Sequence, residues 1–325
     1  MSDSSPRLLV TLRPRESVSR AITGALPTVP WAYTEVSNPA SWGSVEVMLV
    51  GALDRELPGF IASATPRLSF VQRIYTGVDG FPFDRLPPTV RVAGNVGAYA
   101  PFVAEHAVAL ALAAGRTLVD SHDRVRRGQM RPPPEHRLLF RRTAVILGYG
   151  EIGRAIADRL VGFEMRVVGV NRTGRMAPGC VAMYPEEALA TAVAEGDFVF
   201  DARPLTRTTR GSVDSKLLAA MRSEAVYVNV GRAGTVNEKA LFRHLVEHPS
   251  FRAALDVWWG EDFEHGRLVQ RFPFADQPNF VGTPHVAGFG PGVETYVIAK
   301  ALENVGRFFR GEVPRNVVDR REYTG

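Results

Sequence analysis

Short apolar runs recur along the chain, separated by helix-forming stretches and by glycine or proline breaks. Leu8–Leu12, Val45–Leu49, Phe70–Tyr75 and Val90–Ala93 have the length of buried strands. Ser17–Leu26 and Arg55–Ala64, lying between them, read as helices. Strand and helix in alternation predict a parallel sheet covered on both faces. Val103–Arg116 is rich in alanine and leucine and apolar on most sides, the pattern of a buried helix. The polar, basic stretch Arg126–His136, with Pro132-Pro133-Pro134 inside it, reads as a loop or linker. A second series starts at Arg141: Thr143–Leu147, Arg166–Val170, Phe198–Phe200, Ala225–Val230, Ala253–Val257 and the weaker Asn279–Val281. A long helix over Val293–Phe309 closes the series and is expected to cross back to the first. The expected fold class is therefore α/β, with two doubly wound parallel-sheet domains. The boundaries read as 1–115 with 297–325 for one domain and 116–296 for the other.

The first strand of the second series runs into Val145-Ile-Leu-Gly148-Tyr-Gly150-Glu151-Ile152-Gly153 and then a helical stretch. G-x-G-x-x-G alone is a weak pattern, but between a strand and a helix it marks a dinucleotide-binding turn. Gly148 allows the turn, Gly150 lets backbone approach a pyrophosphate, and Gly153 lets helix and strand pack closely. The helix N-terminus offers unpaired N–H groups to the phosphates. This half of the chain is thus expected to be a Rossmann domain. Its next strand ends in Asn171-Arg172-Thr173 and continues to Arg175. An acid there would bind a ribose 2′-hydroxyl and mark NAD; arginine suits a 2′-phosphate. NADP(H) is the preferred cofactor on that reading and NAD(H) the second choice, with Arg172 and Arg175 as plain solvated arginines the bland alternative.

Composition changes the picture little. The 325 residues are 45% hydrophobic and 22% charged, an ordinary globular balance. Formal net charge is +5 with a pI near 9.6, yet there is no block of like charge and no basic stripe interleaved with aromatics. Only Lys216, Lys239 and Lys300 are lysines, so the basicity is arginine and reflects usage more than a nucleic-acid surface. A single cysteine, Cys180, leaves no internal disulfide and no cysteine zinc site, and no metal site is expected. No apolar run reaches membrane-spanning length. No nucleic-acid or membrane partner is expected, and a reducing cytoplasm fits.

Three later stretches hold polar residues just past apolar strands, the edge of an α/β sheet that faces its ligand. They are Tyr227-Val-Asn-Val230-Gly-Arg232, Ala254-Leu-Asp256-Val-Trp-Trp-Gly-Glu261 and Gly282-Thr-Pro-His285-Val-Ala-Gly288. With Tyr75-Thr-Gly77-Val78-Asp79, Val103-Ala-Glu-His106, Pro204-Leu-Thr-Arg-Thr-Thr209 and Gly311-Glu-Val-Pro-Arg-Asn316, in this order, they resemble the D-isomer-specific 2-hydroxyacid dehydrogenase family, nearest its glyoxylate/hydroxypyruvate reductase branch. The resemblance covers nearly the whole chain. It implies hydride transfer between a nicotinamide cofactor and a small anionic 2-keto acid, giving the D-2-hydroxy acid. It also implies a flavodoxin-like substrate domain beside the Rossmann domain, an active-site cleft that closes, and a homodimer.

The resemblance assigns roles that the chemistry justifies. His285 donates the proton to the keto oxygen, since histidine titrates near neutrality. Glu261 pairs with it; a neighbouring carboxylate favours the imidazolium and fixes the ring. Arg232 binds the substrate carboxylate by charge-assisted hydrogen bonds, with the backbone N–H groups of Gly77 and Val78. Cofactor contacts are expected from Gly148, Gly150, Glu151, Ile152, Gly153, Asn171, Arg172, Thr173, Pro204, Thr209, Val230, Asp256, His285 and Gly288. Taken singly, His285 could be a loop histidine, Glu261 an exposed acid and Arg232 a helix cap; their joint occurrence favours catalysis. His106 reads as structural. Asp262 stands where the family commonly has proline. Arg203 replaces a usual apolar residue, and could touch cofactor or simply face solvent. Trp258 and Trp259 read as core packing, with pocket lining as the sharper alternative. The rival functions are a dehydrogenase of D-lactate or 3-phosphoglycerate, a cofactor-sensing binding protein without turnover, and a nucleic-acid binder suggested by pI alone.

Overall fold

The computed structural model describes residues 5–51, 63–130 and 136–324. It divides into two compact units, Met1–Tyr99 with Gly290–Gly325, and Ala100–Phe289.

The smaller unit is a five-stranded parallel sheet. Its strands are β1 (Leu8–Val10), β2 (Trp31–Tyr33), β3 (Val47–Val50), β4 (Phe70–Arg73) and β5 (Arg91–Ala93), in the order β2-β1-β3-β4-β5. That is the flavodoxin-like order. Both faces are covered, so the strands are near-continuous apolar runs. Successive side chains still part to opposite faces. Leu8, Val47 and Phe70 pack with Ile298, Ala301, Leu302 and Val305 of the last helix, Val293–Phe309. Leu9, Met48 and Val71 pack on the other side with Trp42, Phe81 and Phe83. Two buried amides tie that helix to the sheet. Asn95 Nδ2 donates to the carbonyls of Ile74 and Val297 at 3.0 and 2.8 Å, and Asn304 Nδ2 donates to Gln72 Oε1 at 2.6 Å. The expected return of the last helix to the first series is therefore found.

The larger unit holds β6 (Thr143–Leu147), β7 (Arg166–Asn171), β8 (Ala182–Pro185), β9 (Phe198–Asp201), β10 (Val226–Asn229) and β11 (Arg252–Leu255). They are followed by a small hairpin, β12 (Glu261–Asp262) with β13 (Arg267–Leu268), and by β14 (Phe280–Gly282). Seven of these form one parallel sheet in the order β14-β11-β10-β9-β6-β7-β8. The strand order reverses between β6 and β9, the switch point where such sheets open a crevice at the carboxyl ends of their strands.

Two boundaries differ from the sequence reading. Helix Ala100–Gly115 belongs to the larger unit, not the smaller. Arg252 Nη1 donates to the carbonyls of Ala114 and Gly115, and Gly115 is so tightly packed that an added Cβ would lie 3.3 Å from the Phe198 ring. The return crossing falls before residue 290 rather than at 297, because the whole last helix packs on the small sheet. Most of the expected helix Arg55–Ala64, and Pro132–Pro134, lie outside the described residues. Among the described residues no single helix is long and apolar enough to cross a membrane.

Candidate active site

The glycine turn follows β6. Gly148 has φ +85°, a region open to glycine but strained for other residues. Gly150 caps helix Glu151–Leu160, and nothing lies within 4 Å of where its Cβ would be. Backbone can therefore approach a phosphate there. Gly153 is closed instead: a Cβ would sit 2.5 Å from the Gly148 carbonyl oxygen. The turn thus has one glycine for the bend, one for open space and one for close packing, the fit a dinucleotide pyrophosphate needs. Glu151 and Ile152 form the first turn of that helix. At the end of β7, Asn171 Oδ1 accepts from the Thr173 N–H at 3.1 Å, and Asn171 Nδ2 donates to the Arg175 carbonyl. This small closed loop presents Arg172 on the exposed surface.

Past β9 Asp201 Oδ1 accepts the Arg203 N–H at 3.1 Å, closing a short side-chain turn at Asp201-Ala202-Arg203. Arg203 does not face solvent. Its side chain is 1% exposed and its guanidinium lies on the equally buried Asp201, with Nε at 3.0 Å and Nη2 at 2.6 Å. Nη1 donates to Ser212 Oγ at 3.0 Å. Burial opposes the charge, but the Asp201 carboxylate outweighs it and raises the Arg203 pKa. Tyr227 donates its hydroxyl to the same carboxylate, and burial with that neighbour pushes its pKa well up. Thr209 is buried, and its hydroxyl donates to the Pro204 carbonyl at 2.6 Å, so it shapes the Pro204–Thr209 loop.

β10 ends at Asn229 and delivers the buried Val230 and the half-buried Arg232. β11 ends at Leu255, next to Asp256, which is 1% exposed. Asp256 accepts from the Thr283 hydroxyl at 2.6 Å and from the backbone N–H groups of Val286 and Ala287, each at 2.9 Å. His106 Nε2 lies 2.9 Å from the Thr283 hydroxyl and 3.4 Å from Asp256. Burial would lift the Asp256 pKa, but the bonds from His106, Thr283, Ala287 and Val286 hold it below the ordinary value. The loop after β14 is thereby pinned around His285. That residue has φ +55°, a conformation a non-glycine keeps only when its surroundings impose it. Its Nδ1 lies 2.8 Å from Glu261 Oε1, which also accepts the Trp258 N–H at 2.8 Å. Asp262 in the usual proline position does not disturb this pairing; it ends β12 opposite Arg267 and accepts from the His265 N–H. Trp258 and Trp259 are core residues whose indoles donate to the carbonyls of Thr283 and Val236.

Of the expected catalytic residues, Glu261 and His285 touch. Arg232 stands past β10, two strands from the β14 that leads to His285. Gly288 closes the same loop. Gly77 and Val78 belong to the smaller unit, where Val78 is buried and the Gly77 carbonyl accepts from Arg73 Nη1. The sequence reading missed the Asp201 carboxylate and the Thr283 hydroxyl. The signal for the first was present: an acid and a base two residues apart, directly after an apolar strand.

A model of the D-isomer specific 2-hydroxyacid dehydrogenase NAD-binding domain matches residues 108–287, more than half of the chain. The chain belongs to this family. The dehydrogenase is similar to glyoxylate/hydroxypyruvate reductase B of Pectobacterium carotovorum, 31% identical over 260 residues that span 78% of this chain and 80% of the relative. It is similar to the glyoxylate reductase of Thermococcus onnurineus, 30% identical over 285 residues, 84% and 82% of the two chains. Among solved structures it superposes on a D-isomer specific 2-hydroxyacid dehydrogenase from Xanthobacter autotrophicus Py2 in complex with NADPH and MES. That match has a TM-score of 0.83 at 25% identity and covers 98% and 100% of the two chains. The dehydrogenase therefore uses a nicotinamide cofactor.

The anchoring role of Asp256 is open to test by pH and mutation. Its pKa is lowered on folding, so its contribution is present above about pH 4 and is lost as pH falls through the lowered value. Asp256→Ala leaves two backbone N–H groups and a hydroxyl without their acceptor, a cost of about 2–4 kcal/mol near neutrality. Urea unfolding is expected to show that deficit at pH 7 and to show it shrinking as pH falls below the ordinary carboxylate range. Equal stability at pH 7 contradicts the anchoring role.

Proposed function

We propose that this dehydrogenase reduces a small 2-keto acid of the glyoxylate or hydroxypyruvate kind to the D-2-hydroxy acid, preferring NADPH and accepting NADH. The observation that carries the reading is the Glu261–His285 pair at 2.8 Å on the carboxyl edge of the sheet that carries the glycine turn. With Nδ1 held by the carboxylate, Nε2 is the nitrogen left to protonate a keto oxygen. Glu261 balances the imidazolium before transfer and keeps the ring oriented after it. Arg232 binds the substrate carboxylate as a fork. The bound nicotinamide supplies the hydride.

Gly148, Gly150, Glu151, Ile152 and Gly153 take the pyrophosphate in this reading. Pro204, Thr209 and Val230 line its path, and Asp256, His285 and Gly288 meet the nicotinamide end. Asn171, Arg172 and Thr173 take the adenosine ribose. Arg172 is exposed at the end of β7, where NAD-specific sites carry an acid. Helix Leu118–Arg126 has no buried residue, and Leu118, Val119, Val125, Leu138 and Phe140 are 46–65% exposed. So much apolar surface supports a homodimer formed through the larger unit. The lone thiol of Cys180 suits a cytoplasmic location.

His285→Ala is expected to lower kcat by about 10²–10⁴-fold while leaving NADPH affinity within roughly threefold. Steady-state rates and nicotinamide fluorescence read the two effects. Lost cofactor binding with unchanged chemistry contradicts the assignment. Arg172→Asp is expected to move the ratio of kcat/KM values from NADPH toward NADH by about tenfold or more; an unchanged ratio removes Arg172 from the 2′-phosphate site. Sedimentation velocity is expected to give a dimer that Val125→Asp dissociates, and a parental monomer overturns the dimer reading.

A further inference from the structure

The turn Asp201-Ala202-Arg203 is wedged between two glycines from different parts of the site. A Cβ on Gly148 would lie 2.9 Å from Arg203 Cγ and from its backbone nitrogen, and a Cβ on Gly231 would lie 2.6 Å from the Arg203 carbonyl oxygen. One glycine opens the pyrophosphate turn; the other precedes Arg232. Both glycines are therefore packed directly against the Asp201–Arg203 segment.

Hydrogen bonds make the connection to Arg232 direct. The Asp201 carbonyl accepts the N–H groups of Val230 and Gly231 at 3.1 and 3.0 Å. The Thr235 hydroxyl lies 2.8 Å from the Arg232 carbonyl and 3.2 Å from Asp201 Oδ2, sharing its one proton between two acceptors. Asn229 Nδ2 also reaches the Arg232 carbonyl, at 3.2 Å. The backbone of Arg232 therefore hangs on the Asp201 turn. The carboxylate of that turn is fully buried, a state it keeps only if neutralised. Arg203 neutralises it with a two-point fork and adds a third bond from its own backbone N–H at 3.1 Å.

We propose that Arg203, through Asp201, is a positioning residue for Arg232: the buried ion pair sets where the substrate-binding guanidinium stands. With its side chain 1% exposed, Arg203 acts through Asp201 and not by contact with substrate. The proposal rests on the reading of Arg232 as the carboxylate-binding residue. It predicts that loosening the pair weakens the grip on a carboxylate ligand chiefly through Arg232.

A double-mutant cycle tests this. Arg203→Lys keeps the charge but loses the planar fork. It is made in the parental chain and in the Arg232→Ala background, and oxalate affinity for the NADPH-loaded protein is measured by nicotinamide fluorescence. The parental background is expected to lose oxalate affinity by roughly tenfold on Arg203→Lys, and the Arg232→Ala background by less than about twofold. NADPH affinity and the thermal midpoint, recorded alongside, show how much of any change is general. Equal losses in both backgrounds mean a merely structural residue and overturn the proposal. So does oxalate binding that depends on Arg232 and ignores Arg203→Lys. If Arg232→Ala binds oxalate as the parent does, the reading of Arg232 falls and this proposal falls with it. Should Arg203→Lys not fold, the pair Asp201→Leu with Arg203→Met leaves no lone buried charge and serves the same cycle with the same expected factors.

Discussion

The Asp256 carboxylate holds the site together. It is almost fully buried at the end of β11, and its oxygens collect a hydroxyl and two backbone N–H groups from the loop that follows β14. A buried carboxylate is costly unless it is hydrogen-bonded in this way. The requirement works in both directions, because the same bonds force the loop into one path. His285 lies within that path at φ +55°, and only there does its Nδ1 meet Glu261. His285 is thus fixed by the desolvation cost of an acid that does not touch it.

A second buried acid does the same two strands away. Asp201 at the end of β9 collects bonds from Arg203, Tyr227 and Thr235 and supports the chain leading to Arg232. The two acids differ in how they are satisfied. Asp256 relies on neutral donors and a histidine, whereas Asp201 has a full ion pair. A buried ion pair adds little net stability over well-packed apolar residues, so geometry is the better explanation for its presence here. Parallel sheets leave unpaired N–H and carbonyl groups at their carboxyl ends, and these acids give that edge a fixed form.

Much of this was legible in the sequence. Central strands such as Thr143–Leu147 are continuous apolar runs because both faces of the sheet are covered, and their limits were readable to within a residue or two. The glycine turn was readable because each glycine answers a different steric demand. The pairing of Glu261 with His285 followed from the resemblance. The edge strands Trp31–Tyr33 and Ala182–Pro185 were not legible: the second is only half-buried and ends in proline, so it lacks the apolar run that marks an inner strand. The domain boundary at residue 100 was missed because an apolar helix looks the same whichever sheet it covers. The burial of Arg203 was not legible because one-dimensional pattern treats arginine as a surface residue, and only the fold brings Asp201, Tyr227 and Ser212 around it.

The most direct measurement is stereochemical. The purified protein is incubated with NADPH and hydroxypyruvate, loss of the reduced-nicotinamide absorbance is followed, and the product is resolved on a chiral column. One D-glycerate is expected for each NADPH consumed. L-glycerate, or tight NADPH binding with no consumption on hydroxypyruvate or glyoxylate, would contradict the proposed reaction.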